Sequence, residues 1–519
     1  MHCHINKRII GNILLYCVFT IFMILAIHSK KNMHVDEVYS YGLSNSAMCM
    51  TIEDGVTYYP ASSPWLDYMT VDDENRFNYA KVWENQASDV HPPLYYALLH
   101  TICSFFPNSF SIWFAGLINI VFALATLFFA QKIVRLLTDN SLVNRLFPVL
   151  FICSAGILSA VTYFRMYIVA MFWVTAFTYL VVKQIEEKNT VRTYLLFLCV
   201  TVGGALTHYY CIVYIVLSSI VYGCSLLSKK NWKGIGCFCL TQGISALISI
   251  AVFPAMLKHI FIDGRGTESV DNLANTVSSI AFKRLQIFFN MIDEKLFGGI
   301  FVYVFFILLL CLCIMKKDTY KRLISERKVL ITRYLCIIIP VTVYFILISR
   351  IAAYVIERYM LPIYAVLYVV VLCGIGECLH IFGGKKYVPL LSIVTVVMSV
   401  NSWKNMDWIY LFKESEGFIE NASNYSDVDC LYIYDAEWRL NPSYYEVSNY
   451  HSVTFLKKDE LDLLSDWDVD QKYHLIVTII NETETEEILN NVMDYFPVLD
   501  TYDYLGGYGY SNTYYMHGQ

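Results

Sequence analysis

Residues 9–37 read IIGNILLYCVFTIFMILAIHSKKNMHVDE, an apolar run followed by a short polar stretch and an acid pair, Asp36 and Glu37. A helix of about twenty apolar residues spans the hydrocarbon core of a bilayer. Lys7 and Arg8 precede the run, and no cleavage site of the small-x-small type follows it, which is typical of a retained anchor rather than a signal peptide. We therefore predict that the chain enters a membrane here and that the acid pair emerges at its surface.

The rest of the chain repeats this apolar pattern. Of 519 residues, 57% are hydrophobic and 16% are charged, and the mean hydropathy is +0.48, which excludes an ordinary soluble globular protein. The sequence predicts a polytopic α-helical membrane protein with about eleven transmembrane helices. The apolar runs lie at 9–28, 111–131, 146–163, 166–182, 192–207, 209–227, 234–256, 297–315, 333–349, 359–379 and 387–402.

The basic residues predict the orientation. Segment 91–106 is apolar but short, and it either crosses the membrane or lies as an interfacial helix in a long first loop. If it does not cross, every short basic loop falls on the side of Lys7 and Arg8, including the loop 316–333 and the pair Lys385-Lys386. Because basic loops favour the cytoplasm, we predict a cytoplasmic N-terminus and an extracytoplasmic C-terminus. The outer face then carries loops at 29–110 and 257–296, and the second of these is either a lid or a plain surface loop.

The C-terminal segment has a different composition. It holds 22 of the 44 acidic residues after Ser402, against 6 basic ones. Strand patterns at 430–434, 452–456 and 474–480, a helical pattern at 485–495 and a glycine- and tyrosine-rich ending predict a small α/β domain that closes with a hairpin. We therefore divide the chain into a membrane domain, 1–402, and a soluble extracytoplasmic domain, 403–519.

Other classes of function find no support in the sequence. The 16 cysteines are mostly single residues inside apolar runs, so neither a disulfide framework nor metal-ligand spacing is indicated. No phosphate-binding glycine loop occurs, and no basic stripe suggests nucleic acid.

Five polar positions fall on the predicted outer side of the membrane. Each has an ordinary explanation: a solvated loop start, helix punctuation by His91-Pro92-Pro93, a snorkelling arginine or an interfacial histidine. Together they place a carboxylate and two arginines on one side of the membrane, and arginine suits phosphate because its planar fork donates two parallel hydrogen bonds. The positions are Asp36, His91, Arg165, His208 and Arg358.

This combination suits transfer of a sugar from a polyprenyl phosphate. The arginines hold the lipid phosphate and one carboxylate removes the proton of the acceptor hydroxyl. A phosphate leaving group departs as an anion and needs no acid, so one carboxylate suffices, unlike glycoside hydrolysis. Displacement on the opposite face of the sugar inverts the anomeric centre.

At these residues the sequence resembles the GT-C superfamily of polyprenyl-phosphate-dependent glycosyltransferases. It is most similar to bacterial members labelled glycosyltransferase family 39 or RgtA/B/C/D-like, relatives of protein O-mannosyltransferases and the lipid A aminoarabinose transferase. The resemblance covers residues 8–380 and rests on Asp36-Glu37, His91-Pro92-Pro93-Leu94, Arg165, and Arg358-Tyr359 followed by Pro362.

The resemblance implies a role for each residue. Asp36 is the catalytic base, Glu37 and His91 shape the acceptor side, and Arg165 and Arg358 contact the lipid-linked phosphate. Their neighbours Tyr167, His208 and Tyr359 complete the expected substrate-binding set. Many relatives carry an acid shortly after the arginine at the position of Arg165, whereas Ile168 to Met171 follow here. We therefore predict metal-independent catalysis without a cofactor.

Two other functions stay open at this point. A flippase for lipid-linked glycans also needs arginines and aromatic residues, but it favours mid-membrane charges and inverted repeats. A noncatalytic scaffold would use the acidic tail to bind the cell envelope. The expected setting is a plasma membrane, the expected partners are a polyprenyl-phosphate-linked sugar, an acceptor and the lipid bilayer, and no nucleic acid is expected. The sugar and the acceptor are not specified by the sequence.

Overall fold

A computed structural model describes residues 7–262, 264–275, 277–314, 327–383, 387–404, 410–466, 473–480 and 484–518. The chain forms two compact units. The helical unit comprises Met1–Ala26, Val90–Tyr95 and Gly116–Asp407, and the α/β unit comprises Ile27–Asp89, Tyr96–Ala115 and Trp408–Gln519.

Long apolar helices make up most of the helical unit. Within the described residues, six are long and apolar enough to cross a membrane: Ile112–Leu137, Tyr167–Gln184, Tyr209–Ser228, Trp232–Val252, Lys328–Ile351 and Leu361–Leu379. A seventh span is possible as the pair Ser141–Ile152 and Ala155–Thr162, which is bent by 42° at its break. The prediction of a polytopic helical membrane protein is confirmed.

The eleven apolar runs all coincide with helices, but several helices are short. The remaining runs correspond to Lys7–His28, Val191–Ala205, Phe301–Ile314 and Tyr387–Lys404. The number of spans therefore stays a prediction. Most of the basic loop 316–333 and the pair Lys385-Lys386 lie outside the described residues.

The segment predicted as the second outer loop is largely helical. It contains Ala255–Phe261, Gly264–Asn275 and Ser278–Ile292, and it ends in a π-helical turn, Asp293–Phe297. Arg284 fixes it to the end of a long helix, because its Nε donates to the carbonyl oxygen of Ser349 at 2.9 Å.

The segment 91–106 forms the helix Leu94–Phe105. Twelve residues extend about 18 Å at 1.5 Å per residue, whereas the hydrocarbon core is roughly 30 Å thick. This helix is therefore too short to cross a bilayer.

A six-stranded sheet organises the α/β unit. The strands are β1 (Thr57–Tyr58), β2 (Asp429–Tyr434), β3 (Ser452–Lys457), β4 (His474–Ile479), β5 (Thr501–Tyr508) and β6 (Ser511–His517), in the order β1-β3-β2-β4-β6-β5. The three central strands are parallel and the other pairs are antiparallel. These strands, the helix Thr485–Tyr495 and the closing hairpin confirm the elements predicted from the sequence.

The first loop contributes to this unit. Besides β1 it supplies the helices Val35–Asn45, Ser63–Met69 and Tyr79–Ser88. Trp65 is fully buried, and its Nε1 donates to the carbonyl oxygen of Leu440 at 3.2 Å. The unit is therefore discontinuous in sequence, whereas the sequence-based division begins the domain at residue 403, because alternation patterns find strands but not their distant partners.

Candidate active site

Arg165 lies in the short break between the helices Ala155–Thr162 and Tyr167–Gln184. The side-chain amide of Asn119 fixes this break by donating to the carbonyl oxygens of Val161, at 2.8 Å, and Tyr163, at 2.9 Å. Arg165 is only 4% exposed. Since a guanidinium keeps its charge in proteins, the helical unit holds a permanent buried cation at this break.

Arg358 is brought to the same place from a distant part of the chain. It lies in the 3-10 helix Glu357–Tyr359, and its Nη1 donates to the hydroxyl oxygen of Tyr163 at 3.0 Å. Its guanidinium carbon lies 5.7 Å from the centre of the Tyr359 ring. Tyr344 fixes the turn by donating from its hydroxyl to the carbonyl oxygen of Tyr359 at 2.9 Å. Tyr163, two residues before Arg165, therefore connects the two arginine-bearing segments.

The acid beside Arg358 is paired elsewhere. Glu357 and Lys295 form an ion pair of 2.8 Å whose side chains are 4% and 9% exposed. The hydroxyl of Tyr364 also donates to Glu357 Oε1, at 3.2 Å. The charge of Glu357 is thus balanced by Lys295. Lys295 was not predicted as a site residue, and it carries no motif that would have identified it.

His208 lies beside this cluster, at the N-cap of the helix Tyr209–Ser228 and outside the span itself. Its Nδ1 accepts a hydrogen bond from the backbone nitrogen of Tyr210 at 3.0 Å. Burial lowers the pKa of His208 well below its ordinary range, and the positive charges of His91, Arg165 and Arg358 add to this effect. The imidazole is therefore neutral at physiological pH.

Aromatic rings line the cluster. The centres of neighbouring rings lie 5.0–6.2 Å apart for the pairs Tyr163–Tyr167, Tyr167–His208, His208–Tyr210, Tyr210–Tyr359 and His91–His208. The helical unit thus brings together six of the predicted residues: His91, Arg165, Tyr167, His208, Arg358 and Tyr359. Tyr163 and Tyr210 were missed, although each lies within two residues of a predicted position.

Asp36 and Glu37 belong to the α/β unit, in the first turn of the helix Val35–Asn45. His34 is the N-cap: its Nδ1 accepts from the backbone nitrogen of Asp36 at 3.1 Å, and its own backbone nitrogen donates to Glu37 Oε2 at 2.6 Å. This reciprocal capping box fixes the turn, and the helix N-terminus favours both negative charges. The Asp36 side chain is 22% exposed and the Glu37 side chain is fully buried.

Lys30 neutralises Glu37 inside the α/β unit. Its Nζ lies 2.9 Å from Glu37 Oε2, and the side chains are 1% and 0% exposed. The same ammonium donates to the carbonyl oxygen of Tyr410 and lies 4.7 Å from the centre of the Phe412 ring. Burial lowers the pKa of Lys30, and the carboxylate of Glu37 opposes this shift. One oxygen of Glu37 is thus committed to internal contacts, and only Asp36 of the pair meets solvent.

Across the part of the chain that the structure describes, no group of three or more histidines, cysteines and acids is placed to hold a metal ion. Metal-independent catalysis stays a prediction.

The fold has known counterparts. It is similar to ArnT from Cupriavidus metallidurans bound to undecaprenyl phosphate, with a TM-score of 0.55, 9% identity and coverage of 97% of this chain and 98% of that chain. The apo structure of the same protein matches with a TM-score of 0.55, 9% identity and 98% coverage of both chains. The archaeal oligosaccharyltransferase AglB from Archaeoglobus fulgidus, in complex with an inhibitory peptide and a dolichol-phosphate, matches with a TM-score of 0.42 and 10% identity. The match covers 96% of this chain and 74% of that chain.

No protein-family model and no curated protein matches the chain. The likeness to ArnT covers nearly the whole of both chains, so this protein shares the fold of that structure. The resemblance inferred from the sequence is confirmed at the level of the fold.

Proposed function

We propose that the protein is an inverting glycosyltransferase that moves a sugar from a polyprenyl-phosphate donor to an acceptor on the outer face of the membrane. The observation that carries this proposal is that Arg165 and Arg358 both lie close enough to His208 to lower its pKa, while Arg358 also donates to the hydroxyl of Tyr163. Two arginines at such a site are suited to one phosphate group, because each offers a fork of parallel donors.

An apolar cavity of about 730 Å³ supports a lipid-linked donor. Its walls come from the helices Val191–Ala205, Tyr209–Ser228, Trp232–Val252 and Ala255–Phe261, and Ala205 is among the lining residues. His208 follows Ala205 by three residues in the chain. An apolar chain in this cavity would therefore contact the end of the helix Val191–Ala205 that precedes His208.

The proposed chemistry is a single displacement. Asp36 is assigned as the base because it is the carboxylate of its pair that meets solvent. The acceptor oxygen loses its proton to Asp36 and forms a bond to the anomeric carbon, while the bond from that carbon to the phosphate oxygen breaks. The polyprenyl phosphate leaves as an anion whose charge Arg165 and Arg358 stabilise. No oxidant, metal or cofactor takes part.

The sidedness belongs to the same proposal. We place the N-terminus in the cytoplasm and the α/β unit outside, since the basic loops of the sequence favour that orientation. A plasma membrane is the proposed location.

Native mass spectrometry of the full-length protein tests the donor assignment. Wild type, Arg358→Ala, Asp36→Asn and the control Arg192→Ala are purified in mild detergent and incubated with undecaprenyl phosphate. Arg192 is exposed and lies in the first turn of the helix Val191–Ala205, whose opposite end precedes His208. We expect Arg358→Ala to weaken lipid retention at least tenfold, since a hydrogen bond to a charged group contributes about 1.5–3 kcal/mol.

The variants separate binding from chemistry. Asp36→Asn should retain the lipid and lose transfer, whereas Arg192→Ala should resemble wild type. Equal retention by wild type and Arg358→Ala would refute the phosphate assignment. Lipid binding with no sugar transfer by wild type, but with lipid movement across vesicle bilayers, would favour a flippase.

A further inference from the structure

Two partly exposed aromatic side chains meet on the surface of the α/β unit. Trp438 is 40% exposed and Tyr510 is 37% exposed, and their ring centres lie 5.1 Å apart at an interplanar angle of 77°. The guanidinium carbon of Arg439 lies 5.3 Å from the centre of the Trp438 ring and 5.6 Å from that of Tyr510. Arg439 Nη1 also contacts Asp435 Oδ2 at 2.8 Å. We call these four residues the aromatic platform.

Rigid elements hold the platform. Tyr510 lies in the turn between β5 and β6, where Gly509 has φ +67° and where a Cβ atom would come within 3.4 Å of Pro442. Trp438 and Arg439 lie in the 3-10 helix Glu437–Ser443. That helix is fixed by the bond from Trp65 to the carbonyl oxygen of Leu440 and by the hydroxyl contact between Tyr432 and Ser443 at 2.6 Å. Side chains that are already ordered lose little entropy on binding.

The same 3-10 helix packs against the helix that carries Asp36. The helix Val35–Asn45 and the segment Glu437–Ser443 are direct neighbours within the α/β unit. The platform and the proposed base are thus carried by two segments that contact each other.

We propose that the aromatic platform binds a sugar ring of the acceptor, and that the acceptor is therefore a saccharide. A pyranose has a face of C–H groups that packs on an aromatic ring and a rim of hydroxyls that needs charged or polar partners. Trp438 and Tyr510 supply the aromatic rings for the C–H face, and Arg439 and Asp435 supply the charged partners for the hydroxyls. The acceptor role rests on the proposed function, whereas the binding of a saccharide does not.

Saccharide binding to the full-length protein in nanodiscs tests the proposal. The probes are defined hexasaccharides of glucose, mannose, galactose, N-acetylglucosamine and galacturonate, and binding is measured by saturation-transfer NMR and calorimetry. We expect wild type to bind at least one probe, and Trp438→Ala and Tyr510→Ala each to raise its Kd tenfold or more. Tyr473→Ala is the matched control, since Tyr473 is an aromatic residue of the same unit that is 69% exposed.

Trp438→Phe keeps an aromatic ring and guards against misfolding of the alanine variant. It should retain most of the binding at an unchanged melting temperature. Failure of wild type to bind any probe, or equal Kd values for wild type and Trp438→Ala, would overturn the proposal. Preferential binding of a tyrosine-rich or proline-rich control peptide at Trp438 would also overturn it.

Lipid retention measured on the same preparations separates this proposal from the donor assignment. Retained undecaprenyl phosphate without saccharide binding leaves the donor assignment standing and refutes the platform. Saccharide binding that depends on Trp438 without any lipid retention supports the saccharide site and refutes its role as an acceptor site.

Discussion

The buried pair Lys30–Glu37 gives the sharpest test of the structure. At 2.9 Å, two unit charges attract by about 6 kcal/mol if the effective dielectric constant is about 20. Glu37→Gln leaves the Lys30 ammonium with the Tyr410 carbonyl and the Phe412 ring, and Lys30→Met leaves a buried carboxylate with the His34 amide. Removal of one partner from a buried pair typically costs about 3–5 kcal/mol, because the remaining charge stays uncompensated.

The double variant Lys30→Met/Glu37→Gln should be more stable than either single variant. Neither of these two positions then carries a charge, so we expect at least about 2 kcal/mol of the loss to be recovered. Thermal unfolding of the purified protein, followed by tryptophan fluorescence, measures the effect. For a unit of roughly 200 residues, each single substitution should lower the apparent Tm by about 6–20 °C.

The chain offers a matched control for this cycle. Lys31 and Glu416 also form an ion pair, but their side chains are 38% and 40% exposed. Exposed pairs contribute about 0–1 kcal/mol, so Lys31→Met and Glu416→Gln should change the Tm little and additively. If the Lys30–Glu37 cycle is additive and as small as this control, the buried ion pair is refuted.

Three further predictions concern Asp36, Glu446 and His208. Asp36→Asn should reduce sugar transfer by at least a hundredfold while the Tm changes little, because the side chain is partly exposed; transfer of a radiolabelled sugar measures this. Burial raises the pKa of Glu446 to about 7, although Thr513 and Tyr450 both donate hydrogen bonds to its carboxylate. Between about pH 4.5 and 7 the folded protein therefore binds a proton that the unfolded chain has lost, and wild type loses stability as the pH rises through this range. Glu446→Gln should therefore be more stable than wild type by roughly 1–3 kcal/mol at pH 8, and no gain in Tm would contradict this. Because burial lowers the pKa of His208, the unfolded chain takes up a proton near pH 6.5 and the folded chain does not. Lowering the pH from 7.5 to 5.5 should therefore decrease the Tm of wild type more than that of His208→Gln.

Much of the helical unit could be predicted from the sequence. Burial of apolar surface and the need to satisfy every backbone polar group in lipid make a long apolar run a helix whatever surrounds it. The residues that interrupt such runs could therefore also be identified from the sequence. Arg165, His208 and Arg358 were singled out because a charged or titratable side chain between apolar segments needs a reason.

The strands of the α/β unit could also be predicted from the sequence, since alternation and turn residues are local signals. Their order in the sheet was not. The pairing of β1 with β3 joins Thr57 to Thr454, and nothing in either segment identifies the other.

The partners of the site residues were decided by tertiary structure alone. Lys30 is an unremarkable lysine after an apolar run until the fold buries it against Glu37, and the same holds for Lys295 and Glu357. A local pattern fixes helices, strands and the cost of burying a charge, because those depend on a few neighbouring residues. Which distant group meets that charge depends on the path of the whole chain, and so only the folded structure separates the buried Glu37 from the partly exposed Asp36.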